Sequence, residues 1–413
     1  MTEKKMPLWA VNRGISVIKH RENIGELLLL SAFFLYSIKY IFDFSGIFIR
    51  NEMLNSVLVL ASYGLVMAKI IFFQNYTLKR IILTAAVVSV LVISSSRGTN
   101  NHFQMGLFFL LAMQNTDLRK IIKLGLRIKA TVIIIHVVWY IFIYITDPSV
   151  ITFSYRAGAG LPRHYFFMGH ANTFSAILLW ASFEYIFLKY DKLRLIDMLA
   201  VWAISILFFI FTSSYAVMVI LFVTTVLIMF DKIGRQFIDK LLTFVARFSY
   251  IFFAGLFAFL SAVYTRLDGS AKELVESLDS LMTGRLWPGA YAHEVYGFTL
   301  MGRWIRPITA FYWHDSWRQL YVPFDNNYLA NLYHYGIIHL IVTAIALIAL
   351  SRKMETREKI IIIAFSFFAI MQGEVTNPAV CFVLFLIGKY IYKEKSDVIK
   401  EDKPGVISTA ETK

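Results

Sequence analysis

The sequence predicts an all-α membrane protein that crosses the bilayer many times. Of its 413 residues, 58% are hydrophobic and 16% are charged, and the mean hydropathy is +0.62. A soluble domain has no room to bury so much apolar surface, whereas lipid accepts it. The apolar residues also form runs long enough to cross the bilayer as helices. These observations together predict a polytopic fold of about twelve transmembrane helices.

Each predicted span lies close to the 17–25 residues that a helix needs to cross the hydrocarbon core. In chain order the spans are Gly25–Phe42, Met53–Phe73, Arg80–Ser96, His102–Gln114, Gly125–Thr146, Met168–Lys189, Leu195–Thr212, Ser214–Phe230, Thr243–Tyr264, Asn327–Leu350, Lys359–Met371 and Asn377–Tyr392. They make a transmembrane domain over 25–392, between a basic N-terminal segment at 1–24 and a polar tail at 393–413. The tail is predicted to be disordered, since its composition offers little apolar surface to bury.

The formal net charge of +14 agrees with a membrane protein rather than a nucleic-acid partner. Cytoplasmic turns of multi-span proteins carry an excess of lysine and arginine, which accounts for such a charge. The N-terminal segment lacks a signal-peptide core with a small-residue cleavage site, so the first span is predicted to be an uncleaved signal. Cys381 is the single cysteine, which excludes intrachain disulfides and cysteine-based metal sites.

Lysine and arginine also predict the orientation. Alternate turns hold lysine-containing basic clusters, at 79–80, 119–123, 189–194, 232–240, 352–359 and from 389 onwards. The positive-inside rule therefore predicts that both termini are cytoplasmic and that two large loops, 147–167 and 264–327, lie outside. The longer loop is rich in arginine and aromatic residues. We find no internal repeat of the kind common in transporters.

Positive residues predicted to lie outside are almost all arginine. They are Arg50, Arg97, Arg156, Arg163, Arg266, Arg285, Arg303, Arg306 and Arg318, with Lys272 and Lys39 as exceptions. Guanidinium grips phosphate with two donors and keeps its charge, so this pattern predicts an anionic ligand at the outer face. The alternative is ion pairing within the loop, with Asp268, Glu273, Glu276, Asp279 and Glu294.

Two helices that descend from these loops begin with polar clusters, Gly169–Thr173 and Asp325–Tyr328. Their free backbone N–H groups and positive dipole ends would face outwards, which suits a phosphate. The alternative for Asn172, Asp325 and Asn326 is plain helix capping. A third segment, Leu281–Trp287, is predicted to form a short amphipathic helix on the membrane, with the Arg285 guanidinium turned into a cavity.

In order, these motifs are Arg156, Arg163, Gly169-His170-Ala171-Asn172, Thr283-Gly284-Arg285 and Asp325-Asn326-Asn327-Tyr328-Leu329. The arrangement resembles that of the Wzy-type polysaccharide polymerases, relatives of the O-antigen ligases. The resemblance extends over the predicted topology, but its specific motifs cover only a few dozen residues. It implies a GT-C-like fold and an enzyme that joins repeat units carried on undecaprenyl diphosphate. The reaction would occur at the outer leaflet, without a metal or nucleotide cofactor.

The resemblance also implies roles for individual residues. Arg156, Arg163 and Arg285 would neutralise the diphosphate leaving group, since the chain has no Asp-x-Asp pair to hold a metal. Asp325 stands where ligases usually have histidine and is a candidate base, with His170 as the alternative base or a ligand of phosphate or sugar oxygen. Asn172, Asn326 and Tyr328 belong to the implied substrate site. The aromatics Trp287, Trp304, Trp313 and Trp317 either stack on sugars or anchor the interface.

Tyr215 and His136 are two further positions of interest. Family members often carry arginine after a Thr-x-Ser run near the seventh and eighth spans, where this chain has Tyr215. Arg97 is the candidate to replace that donor. His136 lies inside the fifth predicted span, either as a functional group or as a neutral histidine bonded to a neighbouring helix.

Three other functions remain open at this point. A flippase for the same lipid-linked sugars would need charges or helix breaks near the midplane. A ligase would hand the finished chain to another acceptor. A structural partner in a glycan-export complex would use the arginines as a docking surface. The expected partners are the bilayer, the undecaprenyl-diphosphate-linked oligosaccharide, and a chain-length regulator and flippase of the same pathway; nucleic acid is not expected.

Overall fold

A computed structural model describes residues 8–48, 51–75, 77–78, 81–82, 84–85, 88–89, 92–93, 102–155, 162–234, 236–303, 305, 324–373 and 376–392. Within these residues the protein is helical apart from one short hairpin. Seven of the described helices are long and apolar enough to cross a membrane. The prediction of an all-α, multi-pass membrane protein is confirmed at this level.

Most of the described residues lie in helices. In chain order they are α1 (Leu8–Phe44), α2 (Glu52–Phe72), α3 (His102–Leu111), α4 (Leu118–Thr146), α5 (Ala171–Lys189), α6 (Leu195–Thr212), α7 (Tyr215–Lys232), α8 (Gln236–Val263), α9 (Gly269–Leu281), α10 (Trp287–Tyr296), α11 (Asn327–His334), α12 (Gly336–Ser351), α13 (Thr356–Met371) and α14 (Val383–Tyr392). Strands β1 (Phe153–Tyr155) and β2 (Pro162–His164) pair antiparallel between α4 and α5.

Helix α5 lies at the centre of the bundle. Within its apolar span 78% of the residues are buried inside the protein, against 39% or less for the other six candidate spans. Trp180 is fully buried and meets Phe368 and Phe382 edge-on. A helix surrounded in this way is apolar on nearly every face. The middle of α5 is therefore held among neighbouring helices, and its N-terminus emerges from the centre of the bundle.

The remaining predicted spans differ from the structure or lie partly outside its described residues. The span predicted at Arg80–Ser96 falls mostly outside them, and the one at His102–Gln114 is the ten-residue helix α3. The last span is shorter than predicted, because α14 begins at Val383. At the other end of the chain, α1 begins at Leu8, within the segment predicted to precede the first span.

The span predicted at Asn327–Leu350 is interrupted. Helix α11 ends at His334, and α12 starts at Gly336, whose φ of +87° lies in the left-handed region that favours glycine. The amides of Ile337 and Ile338 donate to the carbonyls of Thr299 and Leu300, at 3.0 and 3.1 Å. These carbonyls replace the helical acceptors, and the loop before residue 303 is thereby held against the break.

The basic turns of α4, α5, α6, α13 and α14 meet at one end of the bundle, called here the lysine-rich end. Ion pairs join them, namely Arg119–Asp191, Arg357–Asp191, Lys120–Glu26, Lys189–Asp197 and Lys389–Glu358. The opposite end carries the hairpin, the N-terminus of α5 and the N-terminus of α11. The two ends thus differ sharply in charge chemistry, as the turn-by-turn distribution of lysine predicts.

Candidate functional site

Four ionisable side chains gather at the end opposite the lysine-rich end: Arg163, His170, Arg285 and Asp325, called here the four-residue cluster. The imidazole of His170 interacts electrostatically with the other three. One guanidinium nitrogen of Arg285 lies 4.0 Å from a carboxylate oxygen of Asp325. The fold therefore brings together residues from β2, the start of α5, the α9–α10 turn and the loop before α11.

Arg163 joins three elements. It lies in β2 opposite Ser154 of β1. Its Nε donates to the carbonyl of Thr212 at 2.9 Å, and one terminal nitrogen donates to Asn172 Oδ1 at 2.6 Å. Ser214 also donates to Asn172 Oδ1, at 3.2 Å. Arg163 and Asn172 thus tie the N-terminus of α5 to the α6–α7 turn, and Arg163 is held in one orientation.

At the position of the α6–α7 turn, the Wzy-type polymerases that this sequence resembles often carry an arginine. Tyr215 occupies that position here and packs its ring against Phe209 with centroids 5.0 Å apart. A guanidinium is nonetheless present at this turn, because Arg163 reaches it from the hairpin. Arg97, the residue predicted to supply it, lies outside the described residues.

His170 is the N-cap of α5. Its Nδ1 accepts a hydrogen bond from the amide of Asn172 at 3.1 Å, so His170 rather than Asn172 caps this helix. Burial lowers the pKa of His170 from its ordinary value of 6.5; Arg163 and Arg285 lower it further, against an opposing effect of Asp325. An accepting Nδ1 in a neutral imidazole requires the proton on Nε2. His170 is thereby set up as a hydrogen-bond donor through Nε2.

The backbone that leads to His170 is strained. Phe166 and Phe167 both have positive φ, 49° and 58°, where non-glycine residues are uncommon. Each such residue costs about 1–3 kcal/mol and persists only when its surroundings over-determine it. The Phe166 ring is buried against Phe174, 4.5 Å away, and the Phe167 carbonyl accepts from the amide of Gly46 at 2.6 Å. These contacts offset the strain and fix where α5 begins.

Arg285 lies in a turn rather than in a helix, so the helix predicted at Leu281–Trp287 is wrong. Helix α9 ends at Leu281, and Thr283 and Gly284 follow with φ of 62° and 73°. The Gly284 amide donates back to the Asp279 carbonyl at 2.8 Å, and that of Thr283 donates to Ser280 at 2.9 Å, which is a Schellman ending. The Arg285 side chain is nonetheless only 9% exposed, so its guanidinium is turned inwards.

The Asp279 carboxylate holds this turn from the other side. Its two oxygens accept from the amides of Leu286 and Trp287 at 2.7 and 3.2 Å, and so cap the N-terminus of α10. The sequence placed Asp279 among possible partners for loop arginines and missed this role. Pro288 in the first turn of α10 does mark a helix start, but nothing local identifies the residue that caps it.

The cluster at Asp325–Tyr328 divides into three roles. Asn326 is the N-cap of α11, accepting from the amides of Tyr328 and Leu329 at 2.9 and 3.2 Å. Tyr328 is buried, stacks on Phe257 and donates its hydroxyl to the carbonyl of Ser366 at 2.8 Å. Asp325 is 64% exposed and is therefore the member of this cluster that an external ligand can reach.

The other candidate residues from the sequence lie either outside the described residues or outside the four-residue cluster. Arg156, Trp304, Trp313 and Trp317 lie outside the described residues, as do Arg50, Arg306 and Arg318. Trp287 is exposed and stacks on Tyr291, with centroids 5.8 Å apart. His136 is hydrogen-bonded to Ser45 at the end of α1 and to the carbonyl of Val132, which is the structural alternative given above.

Within the described residues no group of three or more histidine, cysteine, aspartate or glutamate side chains is placed to hold a metal ion. The four-residue cluster instead combines two guanidinium groups, an N–H donor and an exposed carboxylate. No family model, curated protein or solved structure matches this chain. What the cluster can do must therefore be argued from its own chemistry, which suits an anion with several oxygens beside a hydroxyl group that loses a proton.

The pKa of His170 leads to a first prediction. The folded state disfavours protonated His170, so its stabilising contribution is full above the unfolded pKa of about 6.5 and is lost as the pH falls through the folded pKa. We expect the free energy of unfolding of the His170→Asn variant to fall less steeply with decreasing pH below 6.5 than that of the wild type. Asparagine keeps a helix cap but does not titrate. Thermal unfolding in detergent between pH 5 and 8 measures this.

His164 and His293 also have pKa values lowered mainly by burial, so they contribute pH dependence in both proteins. The comparison is therefore the difference between wild type and variant, and both profiles should keep some slope. Identical slopes in the two proteins would contradict the placement of His170 between Arg163 and Arg285.

Proposed function

We propose that this protein polymerises oligosaccharide repeat units carried on undecaprenyl diphosphate, at the outer face of the cytoplasmic membrane. The observation that supports the proposal is the four-residue cluster, gathered from positions 163 to 325 at the end opposite the lysine-rich end. In this proposal the lysine-rich end is cytoplasmic, as the positive-inside rule favours. About twelve spans in a GT-C-like arrangement and cytoplasmic termini are part of the same proposal.

The proposed reaction is a displacement at the anomeric carbon of the growing chain. A hydroxyl oxygen of a new lipid-linked repeat forms a bond to that carbon, while the bond from carbon to phosphate oxygen breaks. Undecaprenyl diphosphate leaves with the electron pair, and the hydroxyl proton passes to a base. The site must therefore stabilise the negative charge that develops on the diphosphate, and it must accept a proton from the attacking hydroxyl.

Arg285 is the principal partner that we propose for the diphosphate. Its guanidinium is buried and its turn is fixed by Asp279, so the group is positioned before the substrate arrives. Preorganised donors of this kind stabilise developing negative charge without reorganisation. Arg163 adds positive charge to the same cluster, although two of its N–H groups already bind Thr212 and Asn172. Arg163 therefore contributes positive charge to the site and also holds its elements together by hydrogen bonds.

Asp325 is the base that the geometry favours over His170. Its carboxylate is exposed, so an acceptor hydroxyl can approach, and the Arg285 guanidinium lies at 4.0 Å. The imidazole of His170 uses Nδ1 to cap α5 and presents Nε2–H, which donates to phosphate or sugar oxygen rather than taking a proton. Proposed roles therefore divide between Asp325 as proton acceptor and His170 as donor to the substrate.

A flippase for the same lipid-linked sugars is the second candidate, and one observation favours it. Lys129 of α4 and Glu184 of α5 form a buried ion pair at 2.6 Å within spanning helices. Lys129 lies eleven residues into α4, or about 16 Å along the helix. Charges at such depth often mark transport paths. The pair is sealed between helices, however, with side chains at most 5% exposed, so the enzyme remains the preferred proposal.

The deciding experiment is analysis of glycans in cells that lack the gene, complemented at matched expression by wild type, Asp325→Asn or the control Asp268→Asn. Asp268 is the N-cap residue of α9, in the same predicted outer loop as Asp325. We expect the deletion and Asp325→Asn to accumulate single lipid-linked repeats on the outer leaflet, with long polymer reduced about 10²–10⁴-fold. Wild type and Asp268→Asn should restore polymer.

Other patterns would overturn the proposal in different ways. Repeats that stay on the cytoplasmic leaflet of the deletion strain would identify a flippase. Normal polymer that fails to reach its final acceptor would identify a ligase. If Asp325→Asn makes full-length polymer while the deletion makes none, the protein is still a polymerase, but Asp325 is not its base.

A further inference from the structure

A groove runs between α1 and α4, on the side of α4 away from the Lys129–Glu184 pair. Its first part encloses about 570 Å³ and is lined by Leu30, Leu35, Lys120, Lys123 and other residues of the two helices. A second cavity of about 430 Å³ continues it towards His136. The two share Phe34, Leu124 and Arg127, so they form one continuous surface depression.

The groove is basic at one end and apolar along the rest. Lys120, Lys123 and Arg127 follow the spacing of a single face of α4, at the lysine-rich end. Beyond them the lining becomes hydrocarbon, with Ile128 and Ile135 of α4 opposite Ile38 of α1. An amphipathic ligand with an anionic head would meet both kinds of surface in the right order.

Two of the three positive charges at the mouth are available to such a ligand. Lys120 is bound to Glu26, with Nζ 2.5 Å from the carboxylate oxygen. Neither Lys123 nor Arg127 forms an ion pair in the part of the chain that the structure describes, and both are exposed. Two cations above an apolar cleft leave a surplus of positive charge where the head of a lipid would lie.

We propose that this groove binds an anionic glycerophospholipid of the bilayer. The phosphate lies between Lys123 and Arg127, where guanidinium can donate to two oxygens, and the acyl chains follow Phe34, Ile38 and Ile128. The length agrees, because Lys120 to Ile135 spans about 22 Å at 1.5 Å per residue. Half of a bilayer with its headgroups is about 20–22 Å thick.

This site is separate from the four-residue cluster. The basic mouth lies at the lysine-rich end, so the phosphate bound there and a diphosphate at Arg285 would be at opposite ends of the bundle. The proposed phospholipid is therefore not the glycan-carrying substrate. Its binding does not depend on the proposed function, and each can fail without the other.

The test is native mass spectrometry of the purified protein, titrated in detergent with phosphatidylglycerol or with phosphatidylcholine. We expect the anionic lipid to bind more tightly than the zwitterionic one, whose choline would face the basic mouth. The double variant Lys123→Gln/Arg127→Gln should bind phosphatidylglycerol about 30-fold more weakly, since each basic residue near a lipid surface contributes roughly a factor of five. Millimolar inorganic phosphate should not displace the lipid.

Two further variants make the result specific. Lys192→Gln/Lys240→Gln removes the same charge from exposed positions elsewhere and should leave binding unchanged. Ser31→Phe places a ring in the groove without changing charge, and should weaken phosphatidylglycerol binding while the basic residues remain. Equal loss in both double variants would show non-specific attraction and overturn the proposal. So would unchanged binding in Lys123→Gln/Arg127→Gln and Ser31→Phe, or displacement by free phosphate.

Discussion

Replacing Arg285 by alanine is expected to reduce polymer synthesis about 10²–10³-fold, the usual effect of removing one preorganised donor to a developing negative charge. The expectation rests on burial and on the turn. The side chain is 9% exposed, one terminal nitrogen donates to the Met282 carbonyl at 2.8 Å, and Asp279 fixes the backbone on both sides. No other described side chain in that turn carries a positive charge that could replace the guanidinium.

The measurement is the rate of polymer formation from lipid-linked repeats by purified protein, with Arg266→Ala as the matched control. Arg266 is an exposed arginine before α9, in the same predicted loop. Arg285→Lys keeps the charge but loses the two-donor fork, so we expect an intermediate loss. If Arg285→Ala and Arg266→Ala have the same activity while both proteins are folded, the proposed leaving-group site is wrong.

The second large effect concerns stability. Lys129→Met is expected to lower the free energy of unfolding by about 3–5 kcal/mol, because it leaves the Glu184 carboxylate buried and unpaired. Lys129 Nζ donates to one oxygen of Glu184 at 2.6 Å, and the other oxygen has no hydrogen-bond partner among the described residues. Gly125 allows this approach, since a Cβ there would lie 2.8 Å from the carboxylate.

Denaturant unfolding in constant detergent measures this effect through a double-mutant cycle. The double variant Lys129→Met/Glu184→Leu should recover most of the lost stability, because it removes both buried charges together. Arg119→Met is the control, since its pair with Asp191 at 3.5 Å is solvent-exposed and should contribute less than about 1 kcal/mol. Additive losses from the two single variants would contradict a coupled pair.

The spanning helices were the most predictable part of the fold. An apolar run such as Leu195–Thr212 must satisfy its backbone within itself in lipid, so length and composition suffice to identify it. The break at Gly336 was not predictable in the same way. It depends on the carbonyls of Thr299 and Leu300, which lie more than thirty residues upstream in the long predicted loop.

The candidate site was predictable in its members but not in its construction. Loop arginines, helix polarity and the resemblance to Wzy-type polymerases together singled out Arg163, His170, Arg285 and Asp325, and the structure gathers them. The same reasoning placed Arg285 in a helix. It did not predict that Asp279 closes the turn, because this carboxylate lies seven and eight residues before the amides that it caps, outside the local N-cap pattern.

Composition and the length of the apolar runs determined that this chain is a multi-pass, all-α membrane protein, because lipid accepts only segments that are apolar and satisfy their own backbone. Only the tertiary structure decided which residues meet: Lys129 with Glu184, Arg163 with Thr212, and Asp279 with the start of α10. The physical reason is that helices in this chain are apolar on most faces, so periodicity does not indicate which face packs inwards. Contacts between distant segments depend on how the helices pack and which hydrogen bonds they form, and neither can be read from the sequence.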